Sequence, residues 1–350
     1  MMKILCLIDN VVKPGDRWLW NYLPSNNDEV DFVIASGAVD RFKKWGKLLT
    51  YYPAFVRAGF RALAKTRKTH YDLVVAWGGQ NGFPYAFLRS IVGQKHPPLI
   101  ILSFNLQGIL SHFLSLARFG MRTVSRLVVF TPSEVEQYQK TLSLPPGTVS
   151  YCPHGWFDPM RWYVPGETPE SKALAQTGRF VFTSGRSYRD YATLARAVEG
   201  TEVCVKVSSR PFNLDGFDLP RNMEALGWLD YRVAQDYMYE ASFYVVPLQT
   251  IHFAGGDSSL LQAMSYGKAA VATRAPSTET YLEHGQTGLL VEPGDAEGMR
   301  QAILHLWQNP DEAIRMGKEA RRRFEENHTM HKLAERVYEV ALEVHRAQPQ

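Results

Sequence analysis

The stretch "FAGGDSSLLQAMSYGKAAVAT", Phe253 to Thr273, reads as a loop, a helix and a strand in succession. Asp257 or Ser258 is placed to cap a helix running from Ser259 to Tyr266, with Gly267 as its stop. Leu260, Leu261 and Met264 then face a core. Gly255 and Gly256 let a ligand approach the backbone, and the unpaired N–H groups and positive dipole end of the helix favour a phosphate or a sugar hydroxyl. Taken alone, the stretch is better read as an ordinary capped helix behind a glycine loop.

A second turn changes that balance. "RFVFTSGRSYRDYATLARAV" (179–198) is strand, turn and helix, with Gly185 at the bend and Arg186 and Arg189 projecting from it. Two guanidiniums at a strand end, beside a helix start, suit a diphosphate through charge-assisted bidentate bonds. For a single arginine, a surface pair with Asp190 or Glu199 is the better reading. Two such turns in one domain favour a nucleotide diphosphate.

Outward from these turns the chain repeats one pattern. "KILCLID" (3–9), "VDFVIAS" (30–36), "YDLVVAW" (71–77), "PLIILSF" (98–104) and "RLVVFTP" (126–132) are near-continuous apolar runs, which mark parallel strands covered on both faces. Helical stretches lie between them, for example around 51–68 and 133–142. A proline- and glycine-rich segment, 144–170, reads as a linker. A second series follows: "RFVFTS" (179–184), "TEVCVKV" (201–207), "FYVVPL" (243–248), "KAAVAT" (268–273) and "GLLVEP" (288–293). The expected fold is α/β: two doubly wound, Rossmann-like domains over 1–160 and 161–325, with a ligand cleft between them. A helix over 326–350 is expected to cross back to the first domain.

Composition sets the class. The chain is 45% hydrophobic and 21% charged, which gives a sizeable core rather than a disordered chain. Cys6, Cys152 and Cys204 lie far apart, so neither a disulfide framework nor a zinc site is expected, and a reducing cytoplasm fits. "MMKILCLIDN" lacks the form of a signal peptide, because Asp9 closes its short apolar run. Pro97 to Ala117 is uncharged, but Ser103, Asn105, Gln107, Gly108, Ser111 and His112 interrupt it, so no membrane span is expected. Residues 1–150 hold 18 Lys and Arg against 9 Asp and Glu, which calls for an anionic partner of that half.

The second half resembles the nucleotide-binding domain of the GT-B glycosyltransferases, in particular the glycosyl transferases group 1 type (glycosyltransferase family 4). The residues that carry the likeness are "SGRSYRDYATLARAV" (184–198), "ALGWLDYRVAQDYMYEASFYVVPL" (225–248) and "AGGDSSLLQAMSYGKAAVATRAPSTETYLEHGQTGLLVEPGDAEGMRQAI" (254–303). "FTPSEVEQYQK" and "SYCPHGWFDPMRW" resemble its pre-linker segment, so the likeness covers about residues 126–310. It implies that the first domain binds acceptor and the second an activated sugar, a UDP-, GDP- or other nucleotide-diphosphate sugar, with no further cofactor. Position by position, Gly185 and Arg186 would meet the donor's diphosphate, and Arg189 would stand near the family's second phosphate cation, normally a lysine. Gly255, Gly256, Asp257, Ser258 and Ser259 would line the sugar and β-phosphate, and Leu226, Gly227 and Trp228 the base. The family's two glutamates, flanking seven residues, are here Ala254 and Gln262. Gln262 can still hydrogen-bond the ribose diol, without charge assistance. Ala254 cannot contact the sugar, and Asp257 is the substitute within the same loop. The family's acceptor-domain histidine is replaced by "SFNLQG"; His112 is the nearest candidate, and a helix-surface or structural histidine is the alternative.

Such chemistry expels a nucleoside diphosphate from an anomeric carbon and needs mainly cations and N–H dipoles at the leaving group. No metal is expected; Asp215 and Asp218 in "FNLDGFD" are the nearest approach to a metal motif. Between Arg41 and Tyr71 there are nine Lys and Arg and no acids, interleaved with Phe42, Trp45, Tyr51, Tyr52, Phe55, Val56, Phe60 and Leu63. Arg118, Arg122 and Arg126 form a second basic stripe. This face fits an anionic membrane surface; a core lined by a solvated basic rim is the alternative, and no nucleic-acid motif accompanies the charge. The expectation is a retaining, metal-independent glycosyltransferase. It would be cytoplasmic or peripheral at the inner membrane face, and would serve a lipid-linked or polysaccharide acceptor. A non-catalytic sugar-nucleotide-binding scaffold and an inverting GT-B transferase stay open as rivals.

Overall fold

Residues 1–9, 16–23, 27–35, 52–93, 96–104, 113–164, 174 and 178–348 are described by the computed structural model. They form two units, Met1–Cys152 with Leu333–Gln350, and Pro153–Lys332. Among the described residues each unit holds one parallel six-stranded sheet.

In the first unit the strands are β1 (Lys3–Ile8), β2 (Glu29–Ile34), β3 (Leu73–Trp77), β4 (Leu99–Leu102), β5 (Arg126–Val129) and β6 (Val149–Tyr151). They pair in the order β2-β1-β3-β4-β5-β6, a doubly wound topology with its switch between β1 and β3. Strand β6 lies inside the stretch expected to be linker, because three residues between proline and glycine carry too little apolar pattern to stand out. Helices α1 (Tyr52–Lys68), α2 (Gly79–Val92), α3 (Leu114–Met121) and α4 (Ser133–Thr141) accompany the strands. Phe55, Ala58, Ala62 and Leu63 of α1 join Leu5, Val74, Ala76 and Tyr85 in the core. A Cβ on Gly59 would lie 3.0 Å from Pro84, so the glycine lets α1 approach α2 closely.

That packing sorts the basic face. Phe55 and Leu63 belong to the core, whereas Val56 and Phe60 stand 45% and 55% exposed beside Arg57 and Arg61. Residues 41–51 of the expected membrane face lie outside the described residues. The three arginines of the second stripe each make a contact within their own unit, and Arg118 and Arg122 are exposed. Arg118 donates to the Thr141 carbonyl, Arg122 donates to the Ser90 carbonyl and stacks on Phe119, and Arg126 sits 3.5 Å from Glu343.

In the second unit the strands are β7 (Val181–Ser184), β8 (Val205–Ser208), β9 (Met223–Gly227), β10 (Tyr244–Val246), β11 (Ala270–Thr273) and β12 (Gly288–Val291). Their order is β12-β11-β10-β7-β8-β9. Side chains alternate between the faces: Phe182, Tyr244 and Val246 enter one core cluster, Val181, Phe243 and Val245 the other. The helices are α5 (Tyr191–Val198), α6 (Tyr231–Glu240), α7 (Asp257–Ser265), α8 (Pro276–Tyr281), α9 (Ala296–Gln308), α10 (Pro310–Asn327) and α11 (Met330–Arg346). The last of these runs into the first unit from Leu333 onward. Strand β9 was not expected, since Glu224, Ala225 and Gly227 are exposed and it lacks the apolar run that marked the others. No helix among the described residues is long and apolar enough to cross a membrane.

Candidate functional site

Strands β7 and β10 are neighbours, and the chain goes from β7 outward to β8 and β9 on one side and to β10, β11 and β12 on the other. The loops leaving β7 and β10 therefore diverge at the topological switch, where open α/β sheets bind ligands. These are the two turns singled out in the sequence, and they meet. Arg189 forms an antiparallel bridge with Leu248, Gln249 N–H donates to the Tyr188 carbonyl at 2.9 Å, and Asp190 N–H donates to the Pro247 carbonyl at 3.1 Å. The Tyr188 and Phe253 rings meet edge to face, 4.8 Å between centroids.

Arg189 does not project from its turn. It is buried: its guanidinium donates to the Ser184 and Ser187 carbonyls and, at 2.7 Å, to Ser259 Oγ on α7. It lies across Gly185, where a Cβ would sit 2.3 Å from its Nη2, and Gly185 has φ +142°. Glycine is required there by both space and backbone. Ser184 Oγ hydrogen-bonds the Tyr244 hydroxyl at 2.6 Å, and Ser259 is a further partner of that hydroxyl. Burial pushes the Tyr244 phenol up, against the opposing charge of Arg189, so it remains protonated. Asp190 spends its carboxylate as the cap of α5, accepting from Thr193 N–H and Oγ1.

Helix α7 starts two residues earlier than expected. Its N-cap is Gly256, in the left-handed region at φ +79°, with Leu260 N–H donating to its carbonyl. A Cβ there would lie 3.1 Å from Leu248 and Val246. Asp257 is the first helical residue rather than the cap, and its Oδ2 sits 2.8 Å from His154 Nδ1. Burial works to raise the Asp257 carboxyl, but the His154 hydrogen bond and charge, with the N–H groups of Ser258 and Asp257, hold it below the usual carboxylate range. The carboxylate thus takes amide groups that the sequence alone offers to a ligand, as acids in a first helical turn commonly do. His154 is itself fixed: its N–H donates to the Tyr281 hydroxyl, and its carbonyl pairs with His328 Nδ1. The Gly255 N–H donates to Ser277 Oγ, which donates in turn to the Gly255 carbonyl. Ser258, Ser259 and Gln262 are half-buried along one side of α7, and Leu260, Leu261 and Met264 fill the core on the other.

Arg186 is half-buried, with its carbonyl held by Asn213 Nδ2 at 2.9 Å and its guanidinium 5.4 Å from the Trp228 ring centre. Gly227, at φ +70°, ends β9 and turns Trp228 outward, where it is 44% exposed. The predicted residues Gly185, Arg186, Arg189, Gly227, Trp228, Gly255, Gly256, Asp257, Ser258, Ser259 and Gln262 all lie in the second unit: Gly227 closes β9, Asp257, Ser258, Ser259 and Gln262 belong to α7, and the others lie on loops that follow strands. His112 lies outside the described residues. Sequence reasoning missed His154 and also Arg210, whose guanidinium lies 5.4 Å from the Trp228 ring centre. The first follows a proline in an irregular stretch and pairs with a residue 103 positions away, a separation that leaves no local signal.

Residues 193–309 match the family described as Glycosyl transferases group 1. D-rhamnosyltransferase WbpZ of Pseudomonas aeruginosa is 29% identical over 148 residues, which covers 40% of this chain and 38% of that protein. Among solved structures, sucrose-phosphate synthase from Thermosynechococcus elongatus superposes with a TM-score of 0.75 at 16% identity, covering 99% of this chain and 100% of that one. Anabaena HepE in complex with UDP and glucose gives a TM-score of 0.69 at 16% identity, covering 98% and 100%. The fold is GT-B, with two Rossmann-like units, and the second contains the segment that matches the family described as Glycosyl transferases group 1.

Proposed function

We propose that this chain transfers a sugar from a nucleotide-diphosphate sugar to an acceptor hydroxyl, and that the two meeting loops of the second unit hold the donor. The observation that carries this reading is the 2.7 Å bond from Arg189 to Ser259, which fixes the loop bearing Arg186 against the start of α7 at the switch of the sheet. The rhamnosyltransferase of P. aeruginosa and the UDP and glucose in HepE support it from outside the chain.

In the proposed reaction the bond from the anomeric carbon to the diphosphate oxygen breaks while positive charge grows on the sugar, the acceptor oxygen bonds that carbon, and the acceptor's proton leaves with the diphosphate. Arg186 neutralises the departing diphosphate, helped by the Gly256 backbone N–H and the hydroxyls of Ser258 and Ser259. Gln262 holds the ribose diol, and the segment at Gly227 and Trp228 takes the base. Arg189 and Asp257 act as positioning residues, since their side chains are engaged by Ser184, Ser187 and Ser259 and by His154. Guanidinium charge serves where other transferases use a metal ion, and the anomeric configuration is retained. A panel of UDP- and GDP-sugars tests the reading: release of nucleoside diphosphate with transfer to a saccharide acceptor is the expected result. Binding without turnover would leave the scaffold reading standing in its place.

The acceptor is proposed to be a lipid-linked or polysaccharide saccharide at a cytoplasmic membrane face, reached through α1. Val56 and Phe60 beside Arg57 and Arg61 supply apolar contact and charge on one exposed face. The chain is expected to co-sediment with phosphatidylglycerol vesicles, less so as salt rises. Equal sedimentation with neutral vesicles, or none with either, would remove the membrane from the proposal.

A further inference from the structure

Trp228 stands on a platform built by three loops. Ser209 N–H, after β8, donates to the Gly227 carbonyl at 3.0 Å, and Leu229 N–H donates to Ser208 Oγ at 3.2 Å. Asn213 reaches from the same segment to the Arg186 carbonyl. The loops after β7, β8 and β9 are thereby laced together around an indole that remains 44% exposed. Two guanidiniums converge on that ring: Arg186 Cζ and Arg210 Cζ each lie 5.4 Å from its centre.

An exposed indole accepts any nucleobase by stacking, because every base has a π face, so the ring alone selects nothing. The edge of the base decides. A guanidinium presents parallel N–H donors, and guanine offers O6 and N7 side by side as acceptors. Adenine sets a donor next to its N7, cytosine presents a donor, and a pyrimidine such as uracil shows a single carbonyl on the corresponding edge. A neighbour with this fold holds UDP, but at 16% identity that likeness shows the fold and not the base that this chain takes.

We infer that Arg210 reads the base of the donor and that the base is guanine. This rests on the donor reading above and deepens it: Arg186 serves the diphosphate, Trp228 stacks the base, and Arg210 bonds the guanine edge.

Calorimetric titration of the full chain with GDP, UDP and ADP tests it. The native chain is expected to bind GDP about tenfold or more tighter than UDP or ADP, the discrimination typical of one bidentate contact. Arg210→Ala should remove most of that preference by weakening GDP while leaving UDP and ADP within about twofold. Arg210→Lys keeps the charge without the fork, so it should lose the preference as well, and it serves if the alanine variant does not fold. Equal or tighter binding of UDP or ADP by the native chain would overturn the inference. So would an Arg210→Ala variant that weakens all three alike, since that is the behaviour of a phosphate contact. Failure of the native chain to bind any of the three would overturn the donor reading itself and take this inference with it.

Discussion

Arg186→Ala is expected to lower kcat/KM for the donor sugar by about 100- to 1000-fold, the range seen when one charge-stabilising donor is removed from a transition state. The same variant should keep the thermal unfolding midpoint of the native chain. The two halves of this expectation follow from one position. The Arg186 side chain lies half-buried against Trp228, and its turn is held by contacts that do not involve the guanidinium: the Asn213 bond to its carbonyl, and the Arg189 bonds to Ser184 and Ser187. Removing the side chain therefore deletes positive charge at the donor without releasing the loop. Arg186→Lys should recover part of the rate, because a point charge still neutralises a diphosphate without bidentate geometry. Steady-state kinetics beside a melting curve measures both quantities. Turnover at the native level in Arg186→Ala would remove Arg186 from the chemistry.

His154→Ala is the substitution with the largest expected cost to the fold, about 3–5 kcal/mol, as for other buried pairs that lose one partner. His154 and Asp257 are 7% and 15% exposed at the side chain, and the distance between them is 2.8 Å. Without the imidazole, the carboxylate keeps its burial and loses its side-chain partner. The pair also predicts a direction with pH. Since Asp257 is held below the ordinary carboxylate range when folded, its contribution is complete above about pH 4 and is lost as acid titrates it below that value. Urea unfolding should show a wide gap in stability between the native chain and His154→Ala at pH 7. That gap should narrow as the pH falls below about 4. A gap under about 1 kcal/mol at pH 7, typical of an exposed pair, would show that the two side chains do not act as a buried unit.

Much of the fold was legible because buried parallel strands carry their own mark. The runs at 3–9, 71–77 and 98–104 are mostly apolar, and each contains a strand of the sheets. Strands β6 and β9 were not legible, for different reasons: the first is three residues in a turn-rich segment, and the second buries only Met223 fully. At the site, sequence spacing placed Gly185, Arg186 and the Gly255–Ser259 loop at strand ends, since glycines at bends and polar residues at helix starts are local signals. What it left out is non-local. Whether Arg189 points outward or folds over Gly185 depends on Ser259, 70 residues away. Whether Asp257 caps a helix, meets a ligand or pairs with a histidine depends on His154 and on Gly256 adopting φ +79°. Side-chain direction at a loop is set by partners from other segments, and a single sequence does not name them.

The central claim is that the guanidinium of Arg186 and the Gly255–Ser259 bend grip one diphosphate. A crystal structure of the chain with GDP or UDP tests it most directly. The result expected is a diphosphate within hydrogen-bond distance of Arg186 and of at least one backbone N–H or hydroxyl between Gly255 and Ser259. A nucleotide seated elsewhere, or touching one of the two loops while the other stays empty, would contradict it.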